Sequence, residues 1–275
     1  MPKVLSDAQV ARYHSAGYHF PLSALAANEA TSLRSRYESQ AALIRGRNNQ
    51  KPHLLFTWID QLIRSPAILD AVEDLLGPDL LCWSSQFFAK PAGDAGYVSW
   101  HQDATYWGLS SPEVTTAWVA LSPSTVESGC MQVIAGTHTS QVAHEDKFDE
   151  KNLLSRGQEV TVQVDRSQAV NVELQPGEFS LHHVLLFHGS EPNRSTDARI
   201  GFAIRYVPTH VFQRSGTLQV SWADSGIKSP ADFKGKTVGN WGFGNEYEVF
   251  ASLTKAGLKT SDVSLVQQQF DMKGL

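Results

Sequence analysis

Apolar residues in the first 80 positions recur every three to four residues, which is the period of helices that bury one face. One short helix is predicted from Ser6, where Gln9 completes a capping box, to a stop at Gly17. The stretch 23–44 is compatible with a longer helix, and Ser65-Pro66 has the residue types that begin another. We therefore expect the N-terminal part of the chain to be helical.

Beyond residue 80 the pattern changes to short runs rich in β-branched and aromatic residues, separated by Gly, Pro, Asn or Asp. Helices followed by many short strands favour a mainly β fold, an antiparallel sandwich or barrel with helices packed outside it. The predicted strands are LLCWSSQFF, TTAWVAL, MQVIAG, EVTVQV, AVNVEL, FSLHHVLLFH and RIGFAIRYV.

A third pattern begins near residue 213. A short helix is predicted at Ser229-Pro230, a strand in KTVGNW, a helix over 245–256 and a strand in DVSLVQQ, which together make a βαβ-like unit. The expected domains are a main one over 1–212, with a helical part (1–80) and a β-barrel core (81–212), and a small appended α/β piece over 213–275.

The composition is that of an ordinary globular protein: 275 residues, 41% hydrophobic and 19% charged, with a formal net charge of −5. Without a long basic run, a nucleic-acid or membrane-surface partner is not expected, and no apolar run approaches the ~18 residues of a membrane span. Two isolated cysteines indicate no disulfide framework, and the N-terminus lacks the apolar segment of a signal peptide. We expect a cytoplasmic protein.

The first candidate chemistry lies in SWHQDATYW, where His101 and Asp103 are two residues apart. On a strand, residues two apart point to the same face, so the imidazole and the carboxylate would converge on one point. An H-x-D pair also occurs by chance in ordinary polar strands. A metal site therefore needs a third ligand from elsewhere in the chain.

The third ligand is expected in FSLHHVLLFHGSEPNRSTDAR, where one β-run ends at His188 and Arg199 opens the next strand. If the intervening turn reverses the chain, Arg199 lies on a strand beside that of His188, and its guanidinium could clamp a carboxylate near a metal. Two imidazoles and one carboxylate on one face of a metal leave positions open, which suits Fe(II) with a chelating cosubstrate and O₂.

With these motifs, residues 6–210 resemble the phytanoyl-CoA dioxygenase family of Fe(II)/2-oxoglutarate oxygenases. The resemblance is carried by WHQDATYW, ESGCMQVIAGTH and FHGSEPNRSTDAR. It implies a double-stranded β-helix core of the jelly-roll or cupin-like kind. The chain departs from the family pattern with GTH in place of GSH, and with Glu127-Ser128-Gly129 in place of Asn-Gly.

The resemblance also implies roles for individual residues. Fe(II) would be held by His101, Asp103 and His188, and Arg199 would bind the distal carboxylate of 2-oxoglutarate. Further cosubstrate contacts are implied for Ser190, Trp107 and Gln86. The implied reaction, with O₂ as the other cosubstrate, is hydroxylation of an unactivated C–H bond with release of succinate and CO₂.

Several alternatives stay open. His182 has the same strand parity as His188 and is a second candidate ligand, and Arg205 is the alternative clamp. Halogenation is disfavoured because Asp103 fills the position that a halide would need. A non-oxygenase, metal-binding cupin-like protein and a catalytically impaired binding module are the rival functions.

The substrate side is indicated only weakly by the sequence. Trp100 and Tyr106 suggest an aromatic rim, and His138 of the GTH motif is added to it. A small metabolite is favoured over a CoA thioester, because no basic cluster for a nucleotide phosphate is evident.

The end of the chain, about 222–275, resembles a fragment of a thiamine-precursor or sulfonate-type substrate-binding protein of ABC transporters. The resemblance is carried by IKSPADFKGKTVGNWGFGNEYEVFASLTKAGL, which is far shorter than the two lobes of such proteins. We expect this part to be a fusion or truncation remnant that is either packed on the β-barrel or loosely tethered to it. Gly239, Gly242 and Gly244 before the helix are also compatible with an anion-binding turn.

Overall fold

The computed structural model describes residues 2–45, 49–214, 226–240 and 246–267. Contacts divide the chain into two compact units, one formed by residues 1–45 and 51–214 and the other by 46–50 and 215–275. Among the residues described, the larger unit holds four α-helices and eleven strands, and the smaller holds one α-helix and two strands. None of the helices described is both long and apolar enough to cross a bilayer.

The helices of the larger unit lie largely where the apolar period predicts them. They are α1 (Asp7–Ala16), α2 (Ala27–Gln40), α3 (Thr57–Ile63) and α4 (Pro66–Leu76). The predicted capping box is present, since Ser6 accepts from the Gln9 backbone and Gln9 bonds back to Ser6, and Gly17 ends the helix with φ 85°. Ser65 precedes α4 with no side-chain cap, and Pro66 stands in its first turn.

Two antiparallel sheets form the β part of the larger unit. The five-stranded sheet has the order β1 (Tyr18–Ser23), β9 (Glu178–His183), β4 (Thr115–Ala120), β11 (Arg199–Pro208) and β2 (Leu80–Lys90). The four-stranded sheet has the order β3 (Val98–His101), β10 (Phe187–Ser190), β5 (Met131–Ile134) and β8 (Val170–Val172). A separate pair joins β6 (His144–Asp146) to β7 (Gln158–Val160). The predicted mainly β fold with outer helices is confirmed.

Strand β1 lies inside the region that the sequence predicts to be helical, so that prediction is wrong for residues 18–23. The segment YHFPLS is short and contains a proline, features that are typical of a loop. It is an edge strand that pairs with β9, with Tyr18 opposite His182. Its extended form therefore depends on a partner about 160 residues away, which no local pattern reveals.

The run FSLHHVLLFH is two strands, and the prediction of one continuous strand is wrong. Its first half is β9 of the five-stranded sheet, and its second half is β10 of the four-stranded sheet. Between them the chain turns at Val184–Leu186, where the Leu186 backbone N–H donates to the His183 carbonyl. His182 and His188 consequently lie on different sheets, so their equal parity has no structural meaning. Arg199, on β11, is likewise not on a strand beside that of His188.

Strand β11 separates two apolar cores, one on each face of the five-stranded sheet. Ile200, Phe202 and Ile204 belong to the core between the five-stranded sheet and the helices. The alternate residues point to the other face, where Ala203 packs in the core between the two sheets. Arg199 and Arg205 share that inward parity, and all ten residues of the strand are buried. One strand thus supplies both a packing face and two buried cations.

The smaller unit has the predicted βαβ arrangement among the residues described. Strands β12 (Thr237–Asn240) and β13 (Ser264–Gln267) pair in parallel, and α5 (Glu246–Lys255) connects them in the sequence. Its small core contains Phe233, Val249 and Leu253. Of the glycines considered for an anion-binding turn, Gly239 lies within β12, while Gly242 and Gly244 lie outside the described residues.

A steric constraint on β11 gives a test of the fold. A Cβ added to Gly201 would lie 1.8 Å from Cζ2 of Trp118, a buried side chain on the neighbouring strand β4. We expect Gly201→Ala to lower the free energy of unfolding by about 1–3 kcal/mol, since the indole must shift within a packed interior. Urea unfolding followed by tryptophan fluorescence measures the change.

Gly96→Ala is the matched control, because its added Cβ would meet the end of the Leu153 side chain at 3.1 Å, and that end can move. An unfolding midpoint for Gly201→Ala equal to that of the control would contradict the steric argument.

Candidate metal centre and its cavity

His101, Asp103 and His188 lie together inside the larger unit, with one ligand atom from each within 4.8 Å of the others. The two histidines face each other across β3 and β10, where they are paired in register. Their Nε2 atoms lie 3.4 Å (His101) and 3.9 Å (His188) from Oδ1 of Asp103. A carboxylate and two imidazole nitrogens at this spacing form a group that can hold one metal ion.

Backbone carbonyls orient both imidazole rings. Nδ1 of His101 lies 2.9 Å from the carbonyl oxygen of Ser99, and Nδ1 of His188 lies 2.9 Å from that of Leu186. A carbonyl can only accept, so each Nδ1 carries the proton and each Nε2 presents a lone pair to Asp103 and to the space between the rings. Metal-binding histidines are held in this way by a hydrogen bond at the other ring nitrogen.

Gln102, the residue between His101 and Asp103, anchors the end of β3. Its buried side-chain amide donates to the carbonyl oxygens of Ser140 (2.8 Å) and Leu185 (2.7 Å), and its Oε1 accepts from the Val142 backbone at 2.9 Å. The backbone N–H of Asp103 donates to the Val184 carbonyl at 3.0 Å. Asp103 is thus the start of a short 3₁₀ turn after the strand, and it is tied to the turn between β9 and β10.

The charges at the centre favour an ionised Asp103 carboxylate and a neutral His188. Burial raises the pKa of Asp103, but Arg205, with Nε 3.7 Å from Oδ2, is the largest of the interactions that lower it, and the net pKa lies well below the usual range. Burial and the neighbouring His101 hold the pKa of His188 well below its ordinary value. An anionic carboxylate beside two neutral imidazoles is the protonation state that metal binding requires.

The group lines a cavity that lies between the two sheets. Its far wall carries Arg199 and Ser190, both buried, and Arg199 is placed over Trp118, with Cζ 5.3 Å from the ring centroid. The buried ammonium of Lys90 donates to Ser190 Oγ at 2.7 Å and to the Glu191 carbonyl. Lys90 is paired with Arg199 across β2 and β11, so two cationic side chains reach the same end of the cavity.

Burial lowers the pKa of both cationic side chains. It lowers the pKa of Lys90 to about 7, with Arg199 adding repulsion, and it lowers the pKa of Arg199 to about 10. Nη1 of Arg199 donates to the Gly129 carbonyl at 2.8 Å, while its buried Nε has no hydrogen-bond partner. Glu191 and Asp94 act on the charge of Lys90, but no carboxylate of the described residues acts on that of Arg199, so Arg199 in particular favours an anionic ligand at this end.

The loop between His188 and Arg199 is held by Asn193 and accommodated by Gly129. The Asn193 amide donates to the carbonyls of Lys90, Pro91 and Asp197, and its oxygen accepts from Ser195. Gly129 has φ 70°, and a Cβ there would lie 2.2 Å from the Glu191 carbonyl oxygen. A glycine is required because the two loops touch through their backbones, and this contact aims the Gly129 carbonyl at Arg199.

Only two of the four residues that the resemblance implies for cosubstrate binding line the cavity. Ser190 and Arg199 line the cavity, whereas Trp107 and Gln86 do not. Trp107 packs against Trp83 in a tilted arrangement, with ring centroids 4.6 Å apart, and lies near Arg205. Gln86 points to the same face of β2 as Lys90 by strand parity, four residues away. Their expected cosubstrate contacts therefore stay predictions, with Gln86 on the cavity side of β2 through its pairing with Ala203.

The expected substrate-side residues are not brought into the cavity either. Trp100 is buried in a separate core with Val160 and Phe187. Tyr106 is 44% exposed, bonds Asp146 and lies under Arg156. His138 packs beside His183, with ring centroids 5.2 Å apart. His182, the alternative ligand, does line the cavity, with its ring centroid 5.1 Å from that of His188, but it is not one of the three grouped ligands.

The sequence analysis did not single out Trp118 and Thr116, which line the cavity, or Lys90, which bonds the cavity residue Ser190. Lys90 closes the β-run FFAK, and a lysine on the inward parity of a buried strand is an available signal. Trp118 and Thr116 also alternate with apolar residues in TTAWVAL. All six residues of β4 are buried, however, so periodicity does not distinguish its two faces.

Comparison with protein families gives two matches. The model of the family described as Phytanoyl-CoA dioxygenase (PhyH) matches residues 1–201. The model described as NMT1/THI5 like matches residues 194–274. The expected resemblance of both parts of the chain is thus confirmed, the first to an oxygenase family and the second to the thiamine-precursor class.

Curated relatives include a probable alpha-ketoglutarate-dependent hypophosphite dioxygenase from Stutzerimonas stutzeri, 30% identical over 58% of this chain and 56% of that protein. The peroxisomal phytanoyl-CoA dioxygenase of Bos taurus is 24% identical over 78% of this chain and 67% of its own. The chain spans about half the length of several of the curated relatives it matches. One example is a probable phytanoyl-CoA dioxygenase from Caenorhabditis elegans, of which the match covers 48%.

Solved structures show the same fold. The non-heme monooxygenase ThoJ in its apo form has a TM-score of 0.68 and 35% identity, covering 76% of this chain and 80% of ThoJ. CytC3 with Fe(II) and alpha-ketoglutarate has a TM-score of 0.60 and 32% identity, covering 78% and 81% of the two chains. The match of residues 1–201 to the family model, with these relatives, shows that the chain belongs to the phytanoyl-CoA dioxygenase (PhyH) family.

Proposed function

We propose that this chain is a non-haem Fe(II)- and 2-oxoglutarate-dependent oxygenase that hydroxylates an unactivated C–H bond, or a similar X–H bond, of a small substrate. The observation that carries the proposal is the group His101, Asp103 and His188, which opens into the same cavity as Arg199. In the balanced reaction, substrate R–H, 2-oxoglutarate and O₂ give R–OH, succinate and CO₂.

The donor set fits iron better than a structural zinc ion. Two imidazoles and one carboxylate on one side leave the opposite positions open, as non-haem Fe(II) oxygenases require, whereas structural zinc closes a tetrahedron with more N or S ligands. Neither cysteine joins the group of three. The unpartnered Nε of Arg199 fits an anionic cosubstrate in the same way, because a buried guanidinium N–H without an acceptor is costly. Bound iron would supply O₂ activation coupled to oxidative decarboxylation.

The protein's own part is to bind, orient and exclude water. Arg199 and Lys90, with Ser190, would hold the distal carboxylate of 2-oxoglutarate in the cavity that the two histidines also line. Arg205 keeps Asp103 ionised and holds it by an ion pair. Phe88, Met131 and Trp118 supply apolar walls that keep bulk water from the reacting atoms.

In this proposal the smaller unit is an appended piece, and we assign it no role. We retain the division into an oxygenase domain over 1–212 and an α/β fragment over 213–275. The match of residues 194–274 to a different family supports a fusion of two sequences near this point.

The first test is of the metal ligands. His101→Ala or His188→Ala should abolish turnover and weaken Fe(II) binding by at least about 100-fold, since losing a residue that merely orients a ligand already costs 10–100-fold. The measurements are anaerobic Fe(II) titration and succinate formation, with circular dichroism to show that the fold is kept.

His210→Ala is the control for this pair, because that exposed imidazole contacts Glu113 on the surface. Near-normal iron affinity in either of the two cavity variants would refute the assignment of the metal centre.

The second test is of the carboxylate clamp. Arg199→Gln should raise the dissociation constant for 2-oxoglutarate by ~30-fold or more, the effect of truncating one partner of a buried charge pair. The visible charge-transfer band that forms when 2-oxoglutarate chelates Fe(II) without O₂ reports binding directly. The absence of this band in the wild-type chain would favour a metal-binding barrel of another function.

Arg194→Gln, on the exposed part of the same loop, provides the comparison and should leave the titration unchanged. Equal 2-oxoglutarate affinities for the two arginine variants would exclude Arg199 as the clamp.

A further inference from the structure

A second set of polar groups faces the cavity, and one of them, Arg205, also contacts Asp103. Arg205, Thr116 and His182 stand in one row across the five-stranded sheet, with Arg205 paired to Thr116 and Thr116 paired to His182. Directly paired residues project from the same face of a sheet, and all three line the cavity. Their exposures are 7%, 1% and 2%, so water has little access to them.

Each of these side chains carries a buried polar atom without a hydrogen-bond partner: Nε of Arg205, Oγ1 of Thr116 and Nδ1 of His182. Arg205 Nε has an ion-pair contact with Asp103 Oδ2 at 3.7 Å, which is too long for a hydrogen bond. Buried polar groups are nearly always satisfied in folded proteins. Three unsatisfied atoms in one row, all facing a cavity, are the pattern expected of a binding site.

The chemistry of the row specifies the ligand. An arginine N–H and a threonine hydroxyl are donors, and an imidazole offers a donor or an acceptor according to its tautomer. One permanent positive charge and hydroxyl and imidazole groups at the spacing of neighbouring strands match an oxyanion such as a carboxylate or phosphonate.

The row is close to the metal group but distinct from the carboxylate clamp. The His182 ring centroid is 5.1 Å from that of His188, and Arg205 contacts Asp103, so a ligand on the row lies beside the metal ligands. Arg199 and Lys90 are at the other end of β11 and β2, six residues from Arg205 along the strand. At about 3.3 Å per residue, the two arginine Cα atoms are about 20 Å apart.

We propose that Arg205, Thr116 and His182 form a subsite that binds an oxyanion of the substrate to be oxidised, so that the substrate is a small carboxylate, phosphonate or related anion with its X–H bond held toward the metal group. The inference rests on the proposed oxygenase function, which assigns the Arg199 end to 2-oxoglutarate. It extends that function by naming the class of substrate and the side chains that select it.

The test uses the full chain loaded with Fe(II) under anaerobic conditions and saturated with 2-oxoglutarate. Calorimetric titration with propanoate, methylphosphonate and phosphite measures anion binding, and propanamide is the neutral counterpart of propanoate. We expect saturable binding of at least one anion and none of the amide. Thr116→Val, which keeps the shape and removes the hydroxyl, should weaken that binding by ~10-fold or more. Arg205→Gln should weaken it by ~30-fold or more.

Two further measurements separate this site from other roles of the same residues. The 2-oxoglutarate charge-transfer titration should be unchanged by Thr116→Val. The ligand-free Thr116→Val chain should unfold at a temperature equal to or above that of the wild type, because an unpaired buried hydroxyl has been removed. Ser124→Ala is the matched control, since its buried Oγ is also unpartnered but does not line the cavity, and it should leave anion binding unchanged.

Each contrary result overturns the inference in a recognisable way. Failure of all three anions to bind the wild-type chain, or unchanged anion binding in Thr116→Val, removes the subsite. Weakened 2-oxoglutarate binding in Thr116→Val with anion binding intact assigns the row to the 2-oxo acid end of the cosubstrate. A wild-type chain that forms no charge-transfer band but still binds an anion at Thr116 would contradict the oxygenase function and leave the anion site standing.

Discussion

The candidate site depends first on the pairing of His101 with His188 across β3 and β10. Each ring is turned by the carbonyl two residues before it, Ser99 in β3 and Leu186 in the turn just before β10. Because both Nδ1 atoms are engaged by these carbonyls, the Nε2 atoms are left to face Asp103. The preorganisation is thus a property of two short pieces of backbone, and packing elsewhere has only to keep these strands in register.

The second constraint is the alternation of side chains along β11, since one face of this strand packs against the helices and the other faces the cavity. Phe202 and Ile204 bury apolar surface against the helices, while Arg199 and Arg205 enter the cavity from the opposite face. A slip of one residue in the pairing with β2 and β4 would bury both guanidinium groups in the helical core. The hydrophobic effect that selects the register therefore also places the two cations.

Much of this arrangement could be predicted from the sequence, and the failures have a common physical cause. The change of period near residue 80 gives the fold class, and the motifs around His101, Asp103 and His188 indicate the group that the structure brings together. The break at Val184–Leu186 was missed because its residues are apolar, and the turn is stabilised by the distant Gln102. Strand β1 and the cavity role of Lys90 likewise depend on partners far along the chain. Local patterns report burial well, but they do not report which sheet a buried strand joins.

The attachment of Asp103 to the turn between β9 and β10 has a consequence for the kinetics of metal exchange. The Asp103 backbone N–H and the Gln102 side chain both bond carbonyls of this turn, at Val184 and Leu185. Proteins open in local cooperative units whose free energies are smaller than that of global unfolding. A local opening of this turn would release the carboxylate and the Leu186 carbonyl that orients His188, while β3 kept His101 in place. The rate of metal loss, and the hydrogen-exchange protection of the Asp103 amide, would then report the opening of three buried residues rather than the stability of the whole barrel.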